Sequence, residues 1–473
     1  MKQRLVEVSI QKFSKDGYGI GSALTADDRQ IEVEVPFAIP GDQASALLTK
    51  KKKGLYQSRL QAITSPSPNR IEARCIHFAA CGGCRWQQMP YELQLQQKEE
   101  WIKSYLKPYL HEDVSWHSII PSAPWHYRNK MELTFSSDKA GHRYLGLILA
   151  GTRGHVFQMQ ECYLPSPWFA ETAQVVSRWW NESGLEAYYS GKDTGSLRTL
   201  TLREGQRTGD RMVMLTVSGN AHYALNKQQL QSFVQALRDT IEPKDSLQQL
   251  SIFLRIQQIA KGRPTNFYEM LLYGPDHIRE TLYLPVEGQP SQPLHFRISP
   301  SAFFQPNTAQ AERLYERALK LADLTSDSLV YDLYCGTGTL GICAAKHVKQ
   351  VVGIELSPES VLDARENLKE NGLSNVVIRA GDVGQVLANL AQETKQHPDV
   401  VMVDPPRAGL DPKAIEHVLA LQAPKLIYIS CNPVTQAANL DPLLKGGYRL
   451  QAVQPVDQFP QTVHVENIVV LTC

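Results

Sequence analysis

"VYDLYCGTGTLG", Val330 to Gly341, closes an apolar run on a glycine-spaced loop and leads straight into a helix-forming stretch. Gly336, Gly338 and Gly341 satisfy G-x-G-x-x-G, a spacing that lets the backbone turn tightly and approach a ligand where a Cβ would obstruct. Outward from this loop, helical and strand-like segments alternate from about residue 297 onward. Strands are expected at Leu329–Leu333, Gln350–Glu355, Val376–Ala380, Val400–Asp404, Leu426–Ser430, Tyr448–Val456 and Val463–Leu471. That rhythm implies βαβ units and a mainly parallel sheet of seven strands. The last two adjoin with no room for a crossover helix, so they are expected to pair antiparallel.

Glu355 stands at the end of the second strand, where a carboxylate can accept both hydroxyl hydrogens of an adenosine ribose. The loop and this acid fit NAD and S-adenosylmethionine equally. Asp332, inside the first strand, and the late position of the loop ahead of an antiparallel pair separate the two. D-x-x-x-G-x-G followed by this strand order resembles the Rossmann-like methyltransferases and favours adenosylmethionine. Asp382, in "RAGD" after the third strand, either lies near the adenine or is a solvated surface acid.

Ligands of doubly wound sheets bind beyond the carboxyl ends of the strands. In "VDPPR" the prolines Pro405 and Pro406 fix an extended path and aim Asp404 outward, unless it is only a solvated turn acid. "LIYISCNPVTQ", Leu426 to Gln436, puts Cys431 at the end of the fifth strand. Cys431 is either a nucleophile or a small side chain finishing a strand. Glu466, expected inside an apolar strand, either has its pKa raised by burial or pairs with an arginine. Together the two suit a pyrimidine whose C5 cannot take a methyl group unaided. Thiolate addition to C6 makes C5 nucleophilic, and a base then removes the C5 proton.

"DLYCGTGTLGI", "VVGIELSPESVLDARENLKENG", "VMVDPPRAGL", "YISCNP" and "VHVENIVVL", in this order, resemble the uracil-C5 RNA methyltransferases that make 5-methyluridine. "FRISPSAFFQPN" and the N-terminal features extend the resemblance over the whole chain. It implies Cys431 as nucleophile, Glu466 as general base and Asp404 in the active site near cofactor and uracil. It also places Gln305, Tyr334, Gly336, Gly338, Thr339, Glu355, Asp382 and Asp404 around adenosylmethionine. Thr339 and Asp382 depart from the family, where many members have Asn.

Cys75, Cys81 and Cys84, with Cys162 far downstream, supply four thiolates that suit zinc or an iron–sulfur cluster, the alternative being unrelated buried cysteines. The pattern ending "QECYLP" resembles the [4Fe-4S] site of the ribosomal RNA branch, which implies a cluster there. Cys335 reads as loop packing, and Cys343 and Cys473 as structural.

Residues 1–63 read as short strands with a glycine-rich turn at Gly17 to Gly21, a small β-barrel. It resembles a TRAM domain, an RNA-binding module with an OB-like barrel. Phe13 and Tyr18 are candidate stacking aromatics and Lys50 to Lys53 candidate phosphate contacts, although a lysine run is as often a solvated face. "HYRNK" adds Arg128 and Lys130 as further candidates. "TSPSPNR", Thr64 to Arg70, reads as a linker or domain boundary, and Tyr91 to Leu106 as a helix. The expected organisation is the barrel at 1–63, an α+β iron–sulfur and RNA-binding region at 64–90 and 120–290, and a catalytic domain at 91–119 and 291–473.

At 473 residues with a net charge of +1, the chain is a multi-domain globular protein whose overall balance neither requires nor excludes a nucleic-acid partner. The start lacks a signal-peptide core, and no run approaches the roughly 18 apolar residues of a membrane span. A cytoplasmic monomer is therefore expected. The resemblance implies methylation of a uridine in RNA, with 23S ribosomal RNA favoured over transfer RNA. Outside that reading stand a non-catalytic RNA-binding assembly factor, and an NAD-dependent oxidoreductase with an iron–sulfur centre that leaves Cys431 and Glu466 without work.

Overall fold

The computed structural model describes residues 4–25, 28–152, 154–259, 262, 264–286, 289–393 and 397–473. Its chain forms two compact units, Met1–Lys98 with Leu147–His155 and Phe459–Val463, and Glu99–Gly146 with Val156–Gln458 and His464–Cys473.

In the first unit, β1 (Leu5–Phe13), β2 (Gly19–Leu24), β3 (Gln30–Val35), β4 (Gln43–Lys52) and β5 (Leu55–Ser65) close into a barrel in the order β1-β2-β3-β5-β4. Alternation in β1 sends Val6, Val8 and Ile10 inward onto Val33, Val35, Ala44 and Ala46. This five-stranded barrel is consistent with an OB-like domain. Gly19 and Gly21, expected in a turn, lie within β2. A Cβ on Gly21 would stand 2.1 Å from the Ser9 carbonyl oxygen, so the strand must be bare where the barrel closes tightly.

The stretch expected as a linker is part of the same packed unit. The buried Asp42 carboxylate accepts from Ile39 N at 2.8 Å, Ser67 N at 2.9 Å and the Arg70 guanidinium at 2.6 and 3.0 Å. Phe13 and Tyr18 are not free stacking platforms either. Phe13 lies 5.4 Å from the fully buried Trp86, and Tyr18 packs edge-on to Phe37 with the Arg85 guanidinium 4.3 Å from its ring centre. α1 (Tyr91–Leu106) follows with the bounds expected from its periodicity.

The second unit begins with β6 (Ser115–Trp116), β7 (Lys130–Ser137), β8 (Arg143–Gly146), α2 (Trp168–Glu182), β9 (Leu197–Glu204), β10 (Arg211–Ser218), α3 (Lys227–Ile241), β11 (Leu250–Gln258) and β12 (Asn266–Tyr273). Six of these strands form one sheet in the order β12-β11-β10-β9-β7-β8. A hairpin of β13 (Ile278–Val286) and β14 (Gln289–Ile298) comes next. Its Ile278, Leu282, Phe296 and Ile298 share one buried cluster with Met212, Met214 and Phe253 of the six-stranded sheet and with Val330, Met402, Ile427 and Ile468 of the sheet that follows.

That last sheet is built from α4 (Thr308–Ala322), β15 (Leu329–Leu333), α5 (Thr339–Ala344), β16 (Gln350–Glu355), α6 (Pro358–Glu370), β17 (Val376–Ala380), α7 (Val383–Glu393), β18 (Val400–Val403), α8 (Pro412–Ala420), β19 (Lys425–Ser430), α9 (Pro433–Lys445), β20 (Arg449–Val456) and β21 (Glu466–Thr472). The strand order is β17-β16-β15-β18-β19-β21-β20-β6. There are eight strands rather than seven, because Ser115–Trp116 adds a two-residue parallel edge to β20 that is too short for any periodicity to announce. Tyr331, Leu333, Val352, Val401, Val403, Leu426 and Tyr428 face a second buried cluster, so both faces are covered and the strands read as continuous apolar runs.

β21 pairs antiparallel with both β19 and β20. It starts at Glu466, three residues later than expected, so this acid stands at a strand end and not inside the strand. Among the described residues, no helix is long and apolar enough to cross a membrane.

Gly21→Ala should strain the barrel by roughly 1–3 kcal/mol. Faster amide hydrogen exchange confined to β1 and β2, with the eight-stranded sheet unchanged, is the expected result. Exchange identical to the parent in both strands would contradict the close approach described here.

Candidate active site

The glycine loop sits at the carboxyl end of β15. Tyr334 (φ 64°), Gly336 (φ 56°) and Gly338 (φ 78°) all take left-handed backbone conformations, and for tyrosine that is costly. The three glycines do different work. A Cβ on Gly341 would meet Asp332 Oδ2 and Val351 Cγ1 at 3.1 Å, so this glycine permits packing, whereas a Cβ on Gly336 would meet nothing within 4 Å. At Gly336 it is therefore the left-handed backbone, and not packing, that calls for glycine, and the space in front of it is open.

Glu355 is held by two backbone donors, Gly336 N at 2.9 Å and Ser357 N at 2.8 Å. A carboxylate offers about four acceptor positions, so lone pairs remain for hydroxyl groups. This fixed acid beside an open cradle fits an adenosyl ligand. Asp332 is buried and accepts from Gly341 N at 2.9 Å, so its carboxylate anchors the start of α5, and burial pushes its pKa up to about 7. Thr339 is buried with its hydroxyl 2.9 Å from that of Thr337. Asp382 is exposed and accepts from Gln385 N at 3.1 Å, capping the first turn of α7.

Asp404 follows β18, Cys431 follows β19 and Glu466 opens β21. In an antiparallel pair whose last registered partners are Ser430 and Asn467, Cys431 and Glu466 are the next residue on each strand. Glu466 is buried, and its carboxyl is raised by that burial and then by the charge of Asp404, while Arg407 opposes. Burial likewise pushes Asp404 up to about 7. The Cys431 thiol goes up to about 11, first through burial, then through the charges of Glu466 and Asp404, with Arg407 lowering it. Gln305 is buried, with its Nε2 3.5 Å from Asp404 Oδ2, and its backbone carbonyl accepts from Asn129 Nδ2 at 2.9 Å.

The loop after Asp404 is stapled to α9. Asn432 Nδ2 donates to Arg407 O at 3.0 Å, and Asn439 pairs with both backbone groups of Leu410 at 2.9 Å while Tyr428 OH donates to Asn439 Oδ1 at 2.8 Å. Asn432 also caps α9, accepting from Val434 N at 3.3 Å, so the chain leaves β19 and turns at the thiol. Arg407 was visible in "VDPPR" but carried no expectation. Asn129 and Asn439 gave no signal, since an isolated amide in a sequence does not reveal its partner.

The four cysteines Cys75, Cys81, Cys84 and Cys162 are free of disulfides. The first three belong to the unit that contains the barrel and Cys162 to the other. Among the described residues, no group of three or more His, Cys, Asp or Glu converges so as to hold a metal ion. The Cys81 sulfur accepts from Gly83 N at 3.3 Å.

A thiol whose pKa is about 11 is almost wholly protonated at pH 7, so alkylation of Cys431 by iodoacetamide should quicken about tenfold per pH unit between pH 7 and 10. Arg407→Gln removes the one opposing charge and should slow alkylation at every pH in that range. Mass spectrometry of the Cys431 peptide measures both, and a rate that plateaus below pH 9 would show the thiol to be unraised.

A family model described as tRNA (Uracil-5-)-methyltransferase matches residues 222–473. An uncharacterized RNA methyltransferase of Protochlamydia amoebophila (strain UWE25) is 72% identical over 440 residues, covering 93% of this chain and 100% of the relative. An uncharacterized RNA methyltransferase of Clostridium tetani is 33% identical over 472 residues, covering 99% and 97%. The crystal structure of Pyrococcus abyssi tRNA (uracil-54, C5)-methyltransferase in complex with S-adenosyl-L-homocysteine shares the fold with a TM-score of 0.72 at 23% identity, covering 98% of this chain and 100% of that one. The chain thus belongs to the tRNA (uracil-5-)-methyltransferase family and is an RNA uracil-5-methyltransferase.

Proposed function

We propose that this enzyme methylates C5 of a uridine in 23S ribosomal RNA through a covalent adduct on Cys431, with S-adenosylmethionine as methyl donor. The observation that carries the mechanism is the placement of Cys431 and Glu466 as next neighbours on adjacent strand ends, with Asp404 acting on both. Tyr334, Gly336, Gly338 and Glu355 are the residues that hold the cofactor, with Gln305 beside Asp404. When bound, that cofactor supplies an electrophilic methyl group.

The Cys431 thiol loses its proton to solvent, which leaves Glu466 free for the later step, and its sulfur adds to C6 of the uracil. The π electrons of C5–C6 move toward C5 and the C4 carbonyl, which readies C5 for methylation. Once C5 carries the methyl group, Glu466 accepts the C5 proton, the C5–C6 double bond re-forms and Cys431 leaves as thiolate. Burial suits Glu466 to this step, because a carboxylate with a raised pKa is a stronger base. The target uracil must leave its stack to reach the strand ends.

The ribosomal assignment rests on the barrel together with the cysteine set. The thiolates of Cys75, Cys81, Cys84 and Cys162 suit a [4Fe-4S] cluster in chemistry, and no step of methylation runs through it. The three-part organisation given above goes with this reading: the barrel and the middle region hold RNA, and the remainder is catalytic. A transfer-RNA target is the second reading, favoured by the description of the family model. Mass spectrometry of ribosomal and transfer RNA from cells lacking the enzyme decides between the two.

RNA transcribed with 5-fluorouridine cannot lose its C5 substituent as a proton. With adenosylmethionine it should give an adduct that survives denaturation and is absent in Cys431→Ala. In Glu466→Gln the adduct should accumulate on ordinary RNA, with turnover down at least a hundredfold. Failure to trap any adduct with ribosomal or transfer RNA would remove the covalent mechanism. Anaerobic purification should yield a brown protein containing iron and sulfide; stoichiometric zinc without sulfide would replace the cluster assignment.

A further inference from the structure

Cys431 and Glu466 lie just past the last registered pair of β19 and β21. The end of a strand pair is where a ladder frays, because no further bond follows to hold the spacing. β20 secures one side, pairing Val456 with Glu466. On the other side, the last pair between β18 and β19 is Val403 with Tyr428, three residues before the thiol. Ladder bonds alone therefore do not fix how far the nucleophile stands from the base.

Gln436 supplies the missing link. From α9, its Nε2 reaches back under the strand ends and donates to Tyr428 O at 2.9 Å and to Asn467 O at 3.2 Å. Its Oε1 accepts from Asn467 Nδ2 at 2.8 Å. One amide thus ties the carbonyl three residues before Cys431 to the backbone and side chain of the residue after Glu466. Both side chains are wholly buried.

Stability does not account for this arrangement. Replacing both members of a buried polar pair with apolar groups of similar shape is often neutral or favourable. Moreover Asn467 Oδ1 is buried without a partner, a cost that an apolar side chain there would avoid. What the amides provide and apolar packing lacks is a directional bond of fixed length between the two strand ends.

We propose that Gln436 and Asn467 are a positioning pair that sets the separation of Cys431 and Glu466, and so governs proton removal and release of the methylated base. This rests on the assignment of Cys431 as nucleophile and Glu466 as base. Neither amide is a catalytic residue. The pair acts on the step that needs both ends in register, more than on cofactor binding or on addition to C6.

The test uses full-length enzyme with Gln436→Met, Asn467→Ala and the double variant, assayed in single turnover on RNA from cells lacking the enzyme. Each single variant should form product at least tenfold more slowly and bind adenosylmethionine within twofold of the parent. Each should also accumulate covalent adduct on ordinary RNA, which a general loss of folding cannot do. The double variant should lose no more than Gln436→Met alone, because that change already removes all three bonds, of which Asn467→Ala removes one. If Gln436→Met fails to fold, Gln436→Glu keeps the acceptor for Asn467 and loses both donors. Its carboxyl, facing the Tyr428 and Asn467 carbonyls, lowers the melting temperature, so it is assayed below its own melting transition, where it should show the same split between product and adduct. Parental product rates and adduct levels in the variants, or losses that multiply in the double variant, would overturn the proposal. If instead the parent itself gives no adduct with 5-fluorouridine RNA, it is the assignment of Cys431 that has failed.

Discussion

The site depends on one strand running the wrong way. A parallel sheet delivers residues to its ligand edge only from strand carboxyl ends, as Asp404 and Cys431 are delivered by β18 and β19. β21 enters between β19 and β20 in the opposite sense, so its first residue arrives at that same edge. Glu466 is thereby brought to the edge beside Cys431 by backbone register and not by a loop, and the Gln436 amide bridges the two strand ends. A catalytic pair held on neighbouring strands keeps its geometry better than one carried on flexible connections.

The same closeness creates an electrostatic conflict. Burial raises the carboxyl groups of Glu466 and Asp404, and the charge of Asp404 raises Glu466 further, which suits a base, but their charges also hold the Cys431 thiol protonated. Arg407 is the counterweight, lowering both Glu466 and Cys431. Its loop cannot drift, because Asn432 and Thr435 both donate to its carbonyl, at 3.0 and 3.3 Å. The proposed site therefore sets a raised carboxyl beside a raised thiol, with one positive charge on a fastened loop opposing both shifts.

Much of this was legible in the sequence, for a physical reason. Strands buried on both faces must be apolar throughout, so β15, β16, β18 and β19 announce themselves, and the glycine loop and Cys431 follow from where they end. The same rule misplaced Glu466, since Val463 to Val465 are apolar enough to continue the strand and only the chain path shows that they do not. Phe13 and Tyr18 were misjudged because an aromatic residue in a small barrel is needed for packing before it is free to stack. β6 and the amides Gln436, Asn439 and Asn467 left no trace, because periodicity records burial and not the partner a polar group will find. The cysteine set stands apart, since its chemistry is readable in the sequence while among the described residues no group of His, Cys, Asp or Glu converges so as to hold a metal ion.

The glycine loop decided the fold without deciding the chemistry, and its geometry explains why. Gly336 is bare toward open space, which any ligand with an adenosine can use, and Gly341 is bare so that α5 can pack on Asp332 and Val351. Asp332, the residue that pointed away from NAD, has its carboxylate engaged by Gly341 N in the interior. Its presence reports how the helix is anchored to the sheet, a property of the fold. The residues proposed to carry C5 methylation lie on the far side of β15, where β18, β19 and the reversed β21 bring two carboxyl groups and a thiol to one edge. A cofactor loop states what can be bound, and the strand ends state what can be done to it.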